Sequence, residues 1–337
     1  MIPRIFVTGG AGYVGSVLVP KLLSAGYAVT VLDLFLFGDH LPPQSSKGAP
    51  PLVKVKGDIR DQALLRSLLR GHQAVIHLAC ISNDPSFELD PSLSRSINFE
   101  CFEPLVVLAK AAGVQRFIYA STSSVYGISN AENVSEDHPL VPLTDYNRYK
   151  GLCEPLLFKY QCPDFTTVTI RPATVCGYSP RLRLDLTVNI LTFSAIETGT
   201  ITVLGGSQKR PNIHIEDVTD LYVLLLQLPA EMIAGKTFNA GYQNHTIAEI
   251  AEIVGSVVSR EVPGRERLEV ITVPSSDLRS YHISSERIRR ELGFVPKRTI
   301  EDAVRDLCRA FAEGKVPNPR GDIRYYNVKA IQAAGLR

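Results

Sequence analysis

The chain opens with MIPRIFVTGGAGYVG, a short apolar run that breaks into closely spaced glycines. Gly10, Gly12 and Gly15 have the spacing GxGxxG, and Gly9, Gly12 and Gly15 the overlapping spacing GxxGxxG. Residues 5–7 read as a buried strand and residues 14–24 as a helix. Glycines at such a strand-to-helix turn let backbone N–H groups approach a pyrophosphate at the helix N-terminus. Gly9, Gly12, Tyr13, Val14 and Gly15 are therefore candidate cofactor contacts. A second apolar run, AVTVLD, ends at Asp33. A carboxylate about twenty residues beyond the glycines is where a ribose 2′-hydroxyl is gripped. Asp33 would repel a 2′-phosphate, which favours NAD over NADP.

The strand-then-helix pattern repeats. Apolar runs recur at IFVTG, AVTVLD, LVKVKGD, AVIHLA, RFIYAS and TVTIRP, with helical patterns between most of them, as at 61–69 and 96–112. This alternation predicts an α/β fold, a Rossmann-type doubly wound parallel sheet with right-handed crossovers. Pro42, Pro43, Gly48, Pro50 and Pro51 mark a loop between the second and third strands. After Arg171 the pattern changes to short strands (TITVLG, KTFNAG, RLEVITV) among helices and longer loops. Residues 246–256 read as a helix with Thr246 and Glu249 in a capping box. SSERIRRELGF reads as another, with Ser284 as N-cap and Gly293 closing it. From Pro317 onward the chain reads as a loop wrapping the body. Residues 1–171 are thus expected to form mainly the NAD-binding domain. Residues 172–337 form mainly a smaller C-terminal substrate-binding region, with the chain crossing between the two.

Bulk properties remove several classes. With 337 residues and a formal net charge of +2, the chain gives no argument for nucleic acid or an anionic membrane surface. No apolar stretch is long enough to span a bilayer, and no signal-like segment precedes the first strand. Six cysteines at 80, 101, 153, 162, 176 and 308 include no CxxC pair. That pattern fits reduced thiols in a cytoplasmic protein better than a disulfide framework or a zinc site.

Candidate catalytic residues lie in TDYNRYK, where Tyr146 and Lys150 are four apart and share one helix face. An ammonium near a phenol favours the phenolate, which would make Tyr146 a general base near neutrality. Lys150 could also hold the nicotinamide ribose. Upstream, RFIYASTSSVYG ends a strand in hydroxyl residues 121–124, at the sheet edge where ligands bind in such folds. Thr122 is the candidate to hydrogen-bond the reacting sugar hydroxyl. Cys80, Ser82, Asn83 and Asp84 follow the fourth strand and should face the nicotinamide side. Cys80 reads either as a small packed thiol or as an acid/base beside a transient ketone. His138 and His214 are titratable candidates, and neither has metal-ligand spacing.

TGGAGYVG, Asp33, GDIRD, HLA, STSSVYG, YNRYK and the RP pair at 171–172 occur in this order. Together they resemble the extended short-chain dehydrogenase/reductases of the NAD-dependent epimerase/dehydratase family, which act on nucleotide-diphosphate sugars. The resemblance implies that Asp58 and Ile59 meet the adenine and that Leu78, Ala79 and Cys80 line the cofactor. It makes Asn98 a supporting residue and sets Pro172 beside the nicotinamide. It assigns Arg210, in KRPNIHIEDV, to the nucleotide diphosphate, for which a guanidinium fork is suited. It further implies a homodimer formed through helices at 96–112 and 146–160, which here contain Pro104 and Pro155.

Departures from the family pattern bear on the reaction. Family dehydratases carry acids directly after the catalytic hydroxyl residue, where this chain has Ser123 and Ser124. A serine is a poor proton donor for water elimination, which argues against a 4,6-dehydratase and against decarboxylases that keep a Glu there. Ser123 and Ser124 are then substrate-side residues. Thr174 replaces a common Asn, and Ser275 stands two residues before Asp277 where relatives place an Arg, a role open to Arg279. The leading expectation is an NAD-dependent nucleotide-sugar epimerase working through a transient keto sugar. The alternatives are a nucleotide-sugar dehydrogenase or 4-ketoreductase with net NAD(H) turnover, and an NAD-responsive binding protein without chemistry.

Overall fold

The computed structural model describes residues 2–43, 50–275 and 280–336. Six of its strands follow the apolar runs: β1 (Arg4–Thr8), β2 (Ala28–Asp33), β3 (Leu52–Lys56), β4 (Ala74–His77), β5 (Arg116–Ala120) and β6 (Thr166–Pro172). Side chains alternate across a strand, so each strand feeds two cores. Ile5 and Val7 of β1 and Ile118 of β5 face one core, under helices Gly15–Ser24 and Ile215–Gln227. Phe6, Phe117 and Tyr119 face the other, under helices Gln62–Leu68, Phe102–Ala111 and Asp145–Phe158. Burial on both faces explains why these strands read as nearly continuous apolar runs, apart from the edge strand β3, whose Val53 and Lys56 are exposed.

Downstream come β7 (Thr174–Cys176), β8 (Thr200–Leu204), β9 (Lys209–His214), β10 (Lys236–Ala240), β11 (Gln243–Thr246) and β12 (Glu269–Val273). The main sheet has the order β10-β6-β5-β4-β1-β2-β3, with every pair parallel. The KTFNAG run therefore returns to the main sheet as its seventh strand, beside β6. β11, β9 and β7 form a second sheet, and β12 pairs with β8 in a third. A separate core unites helices Thr187–Thr198, Ile247–Glu261 and Ile300–Ala312.

Three local expectations change. The helix expected over 96–112 is built from Pro91–Arg95, a π-helical turn at Ser96–Glu100, and Phe102–Ala111. The expected cap at Ser284 moves by one residue. The helix is Glu286–Leu292 with Ser285 in the cap position, and the Ser285 hydroxyl instead donates to the Gly241 carbonyl. Ser284 Oγ still accepts the Glu286 N–H at 3.3 Å. The segment after Pro317 is not all loop, because Asn327–Ala334 forms a helix whose Ile331 packs into the main core. By contrast, Thr246 and Glu249 form the capping box, and Gly293 ends its helix in the left-handed region. Among the described residues no helix is long and apolar enough to cross a membrane, and no cluster of His, Cys, Asp or Glu could hold a metal ion.

Candidate active site

The chain runs from β1 outward to β3, then returns to β4 on the other side of β1. Ligands of doubly wound sheets bind at this reversal, beyond the carboxyl ends of the strands. A cavity of about 440 Å³ lies there. Gly9, Gly12, Tyr13, Val14 and Gly15 form one wall. Gly9 has φ 74°, and a Cβ on it would lie 2.6 Å from the Ala79 backbone nitrogen, so no larger residue fits. The helix that follows starts without a side-chain cap, leaving its first turn to other partners.

Asp33 and Asp58 close the far end of the cavity. Asp33 accepts the Ala11 N–H at 2.9 Å and the Phe35 N–H at 2.8 Å, while burial pushes its carboxyl up. Arg60 grips Asp58 and holds its carboxyl below the usual range. Ile59, Leu78, Ala79 and Cys80 line the adjoining wall. Asn98 is not in the wall. From the π-helical turn its amide accepts the Ile81 N–H at 2.8 Å and donates to the Ile81 carbonyl at 2.9 Å, fixing the loop after β4.

Thr122, Ser123, Ser124, Tyr146, Lys150, Pro172, Thr174 and Arg210 line the opposite part. Thr122 caps a short turn and its Oγ1 lies 2.8 Å from Ser124 Oγ. Ser124 also donates to Asn147 on the Tyr146 helix. Ser121 donates to Glu154 at 2.6 Å, and Glu154 is paired with buried Arg171 by two hydrogen bonds. These contacts tie the end of β5 to the helix that carries Tyr146.

The surroundings of Tyr146 set the state of its phenol without Lys150 among the charges that bear on it. Its phenol is pushed well above the ordinary tyrosine range by burial, with Cys80 and Asp84 adding to the rise and Arg183 opposing it. The Lys150 ammonium instead donates to the Ala120 carbonyl and lies 4.8 Å from the Tyr119 ring centroid. Its charge is thus directed at a carbonyl and a ring. His138 and His214 do not line the cavity. His214 caps helix Ile215–Gln227, and His138 lies 3.3 Å from Ser129. Arg279, Asp277 and Gly48 lie outside the described residues.

Several wall residues were not singled out from sequence. Arg181, Arg183 and Asp185 come from the strap at 177–185, Tyr281 from beyond β12, and Asn327 from the last helix. Arg183 makes a two-point contact with Asp185 and donates to Ser82, and Asn327 also donates to Ser82. Tyr281 lies 3.4 Å from Ser123. The only signal for the strap was the alternation of Arg with Leu in PRLRLD.

Sheet order, glycine turn and cleft define a dinucleotide-binding α/β protein of the doubly wound class. The model of the NAD dependent epimerase/dehydratase family matches residues 5–241, and the chain belongs to that family. The chain is 30% identical over 309 residues to a UDP-glucose 4-epimerase of Mycolicibacterium smegmatis, covering 89% of this chain and 96% of that one. It is 27% identical over 313 residues to a dTDP-glucose 4,6-dehydratase of an Actinoplanes species, covering 89% and 95%. The crystal structure of DesIV, a dTDP-glucose 4,6-dehydratase from Streptomyces venezuelae with NAD bound, superposes with a TM-score of 0.79 at 25% identity, covering 93% and 98%. NAD is the family's cofactor, and the glycine turn, Asp33 and the cavity between them suit it.

Proposed function

We propose that this protein is a nucleotide-sugar epimerase that inverts a carbinol centre through a transient keto sugar. The observation that carries the reading is one cavity holding Thr122, Tyr146 and Lys150 beside the glycine turn, with Ser123 and Ser124 where an eliminating enzyme needs acids. The similarity to UDP-glucose 4-epimerases supports it, although dehydratases match comparably well. NAD, when bound, supplies a reversible hydride acceptor. Tyr146 takes the proton of the reacting hydroxyl and later returns it. Thr122 holds that hydroxyl by a hydrogen bond. Lys150 turns from the Ala120 carbonyl to offset the phenolate charge, and Arg210 receives the diphosphate. We also propose a cytoplasmic homodimer, formed where Val107 and Leu152 stand exposed on helices Phe102–Ala111 and Asp145–Phe158.

A second reading has its own observation. Asp84, buried in the cavity wall, bears electrostatically on Tyr146 and accepts a hydrogen bond from Thr144, so an acid does reach the site from another loop. That arrangement would suit proton transfer at carbon, as in dehydration. Proton NMR of a nucleotide-sugar panel in heavy water, with catalytic NAD, separates the readings. A new stereoisomer with its carbinol proton retained and no net NADH supports the epimerase. Solvent deuterium at the carbon next to the ketone, with loss of water, sinks it in favour of dehydration. Turnover only with stoichiometric NAD or NADH points to net oxidation or reduction.

A further inference from the structure

The chemistry above leaves the buried cation Arg181 unused. Arg181 is 2% exposed and lines the cavity. Its guanidinium carbon lies 3.7 Å from the centroid of the Phe37 ring, and Nη2 donates to Asn327 Oδ1. Nε and Nη1 are buried and have no hydrogen-bond partner. A buried cation with two idle donors is costly, since each donor has lost its water without a replacement. Burial, with Arg183 adding repulsion, lowers its pKa to about 9, so it is still charged at neutrality. The other buried arginine of the strap is already committed to Asp185 and Ser82.

The strap fixes which part of the cavity this charge serves. Tyr13 donates to the Gly177 carbonyl at 2.6 Å, Ser179 donates to the Tyr13 carbonyl at 2.8 Å, and the Arg181 N–H reaches Ser16 Oγ at 3.3 Å. The strap is thereby bound to the glycine turn and the first turn of its helix. Both arginines bear on Tyr13, but only the charge of Arg181 bears on Asp33, and only that of Arg183 bears on Tyr146. Arg181 therefore belongs to the phosphate and ribose side of the cavity, not the reacting side.

We propose that Arg181 is an anion clasp, whose Nε and Nη1 donate to a phosphate of the bound dinucleotide beside the glycine turn to which its strap is tied. The clasp comes from the strap and is steadied by the last helix through Asn327, so segments far apart in sequence close over one cofactor. The proposal rests on NAD binding alone and stands whether or not the epimerase reading does.

The test is calorimetric binding of NAD, ADP-ribose, adenosine, NADP and UDP to wild type, Arg181→Met and Arg181→Lys. A charge-assisted contact of this kind corresponds to about 10- to 100-fold in affinity. Arg181→Met should weaken NAD and ADP-ribose by that factor, leave adenosine and UDP within about twofold, and flatten the salt dependence of NAD binding. Arg181→Lys should fall between. The melting temperature of ligand-free Arg181→Met should not drop, because an apolar chain replaces an uncompensated buried charge. Its rise on adding NAD should shrink. Unchanged NAD affinity, a loss confined to NADP, or a loss of UDP with NAD spared would each overturn the clasp. A wild-type protein that binds no NAD at all would overturn the cofactor assignment instead.

Discussion

The Tyr146 phenol owes its state to burial and to Cys80, Asp84 and Arg183, which come from segments remote in sequence, and not to its spacing from Lys150. If Tyr146 is the base, Tyr146→Phe should lower kcat by about 10²- to 10⁴-fold. NAD binding, measured by calorimetry, should stay within a few-fold. Because burial raises the phenol, the rate with wild-type enzyme should climb with pH through an alkaline limb. Lys150→Met should push that limb higher still, as it removes the cation that favours the phenolate. A rate that is flat across this range would speak against a tyrosine base. The arginine clasp lay beyond sequence reading for a related reason. The charge is printed in PRLRLD, but its idle donors exist only where the strap crosses the glycine turn.

Secondary-structure elements were legible where periodicity and termini agree. Six strands of the main sheet follow the apolar runs, since five of them are buried on both faces and tolerate little else, while the edge strand β3 keeps an alternating pattern. The capping box at Thr246 was readable because both partners sit within four residues of sequence. Thr246→Ala should cost about 1 kcal/mol, measured as a shift in urea midpoint with unchanged slope. What escaped was pairing at a distance. Nothing local in KTFNAG says that it lies beside β6 and not in a smaller sheet. The cap position falls on Ser285 and not on the expected Ser284, and the Ser285 hydroxyl donates to the carbonyl of Gly241, far away in sequence, instead of capping the helix. The π-helical turn is similar, for its purpose is the Asn98 clamp on Ile81, seventeen positions upstream. Glu154 links two elements through a buried pair with Arg171. Glu154→Gln should destabilise the fold by about 3 kcal/mol or more by leaving the guanidinium short of its counter-charge. Denaturant unfolding at neutral pH measures this.

Across the whole molecule, acid stability follows from the centre of the sheet. His77 of β4 is wholly enclosed, 2.7 Å from Thr8 Oγ1 and stacked on Tyr119. Burial, with the Lys150 charge adding, lowers its pKa from 6.5 to about 3. Between those values the unfolded chain binds a proton that the native chain refuses. The stability due to this group is complete above pH 6.5 and is lost as pH falls toward 3. The slope approaches about 1.4 kcal/mol per pH unit. Urea midpoints at pH 7 and pH 5 should differ more in wild type than in His77→Gln. Light scattering should report a dimer that Leu152→Glu converts to monomer, if the exposed apolar residues on the two helices meet a second copy. The position of Asn327 has a consequence for biosynthesis. A ribosome makes the glycine turn among the first residues of this sequence and the Asn327 prop among the last. Translation therefore supplies the glycine turn long before the prop, and, if the clasp holds the cofactor, a nascent chain can fold its sheet before it can keep a nucleotide.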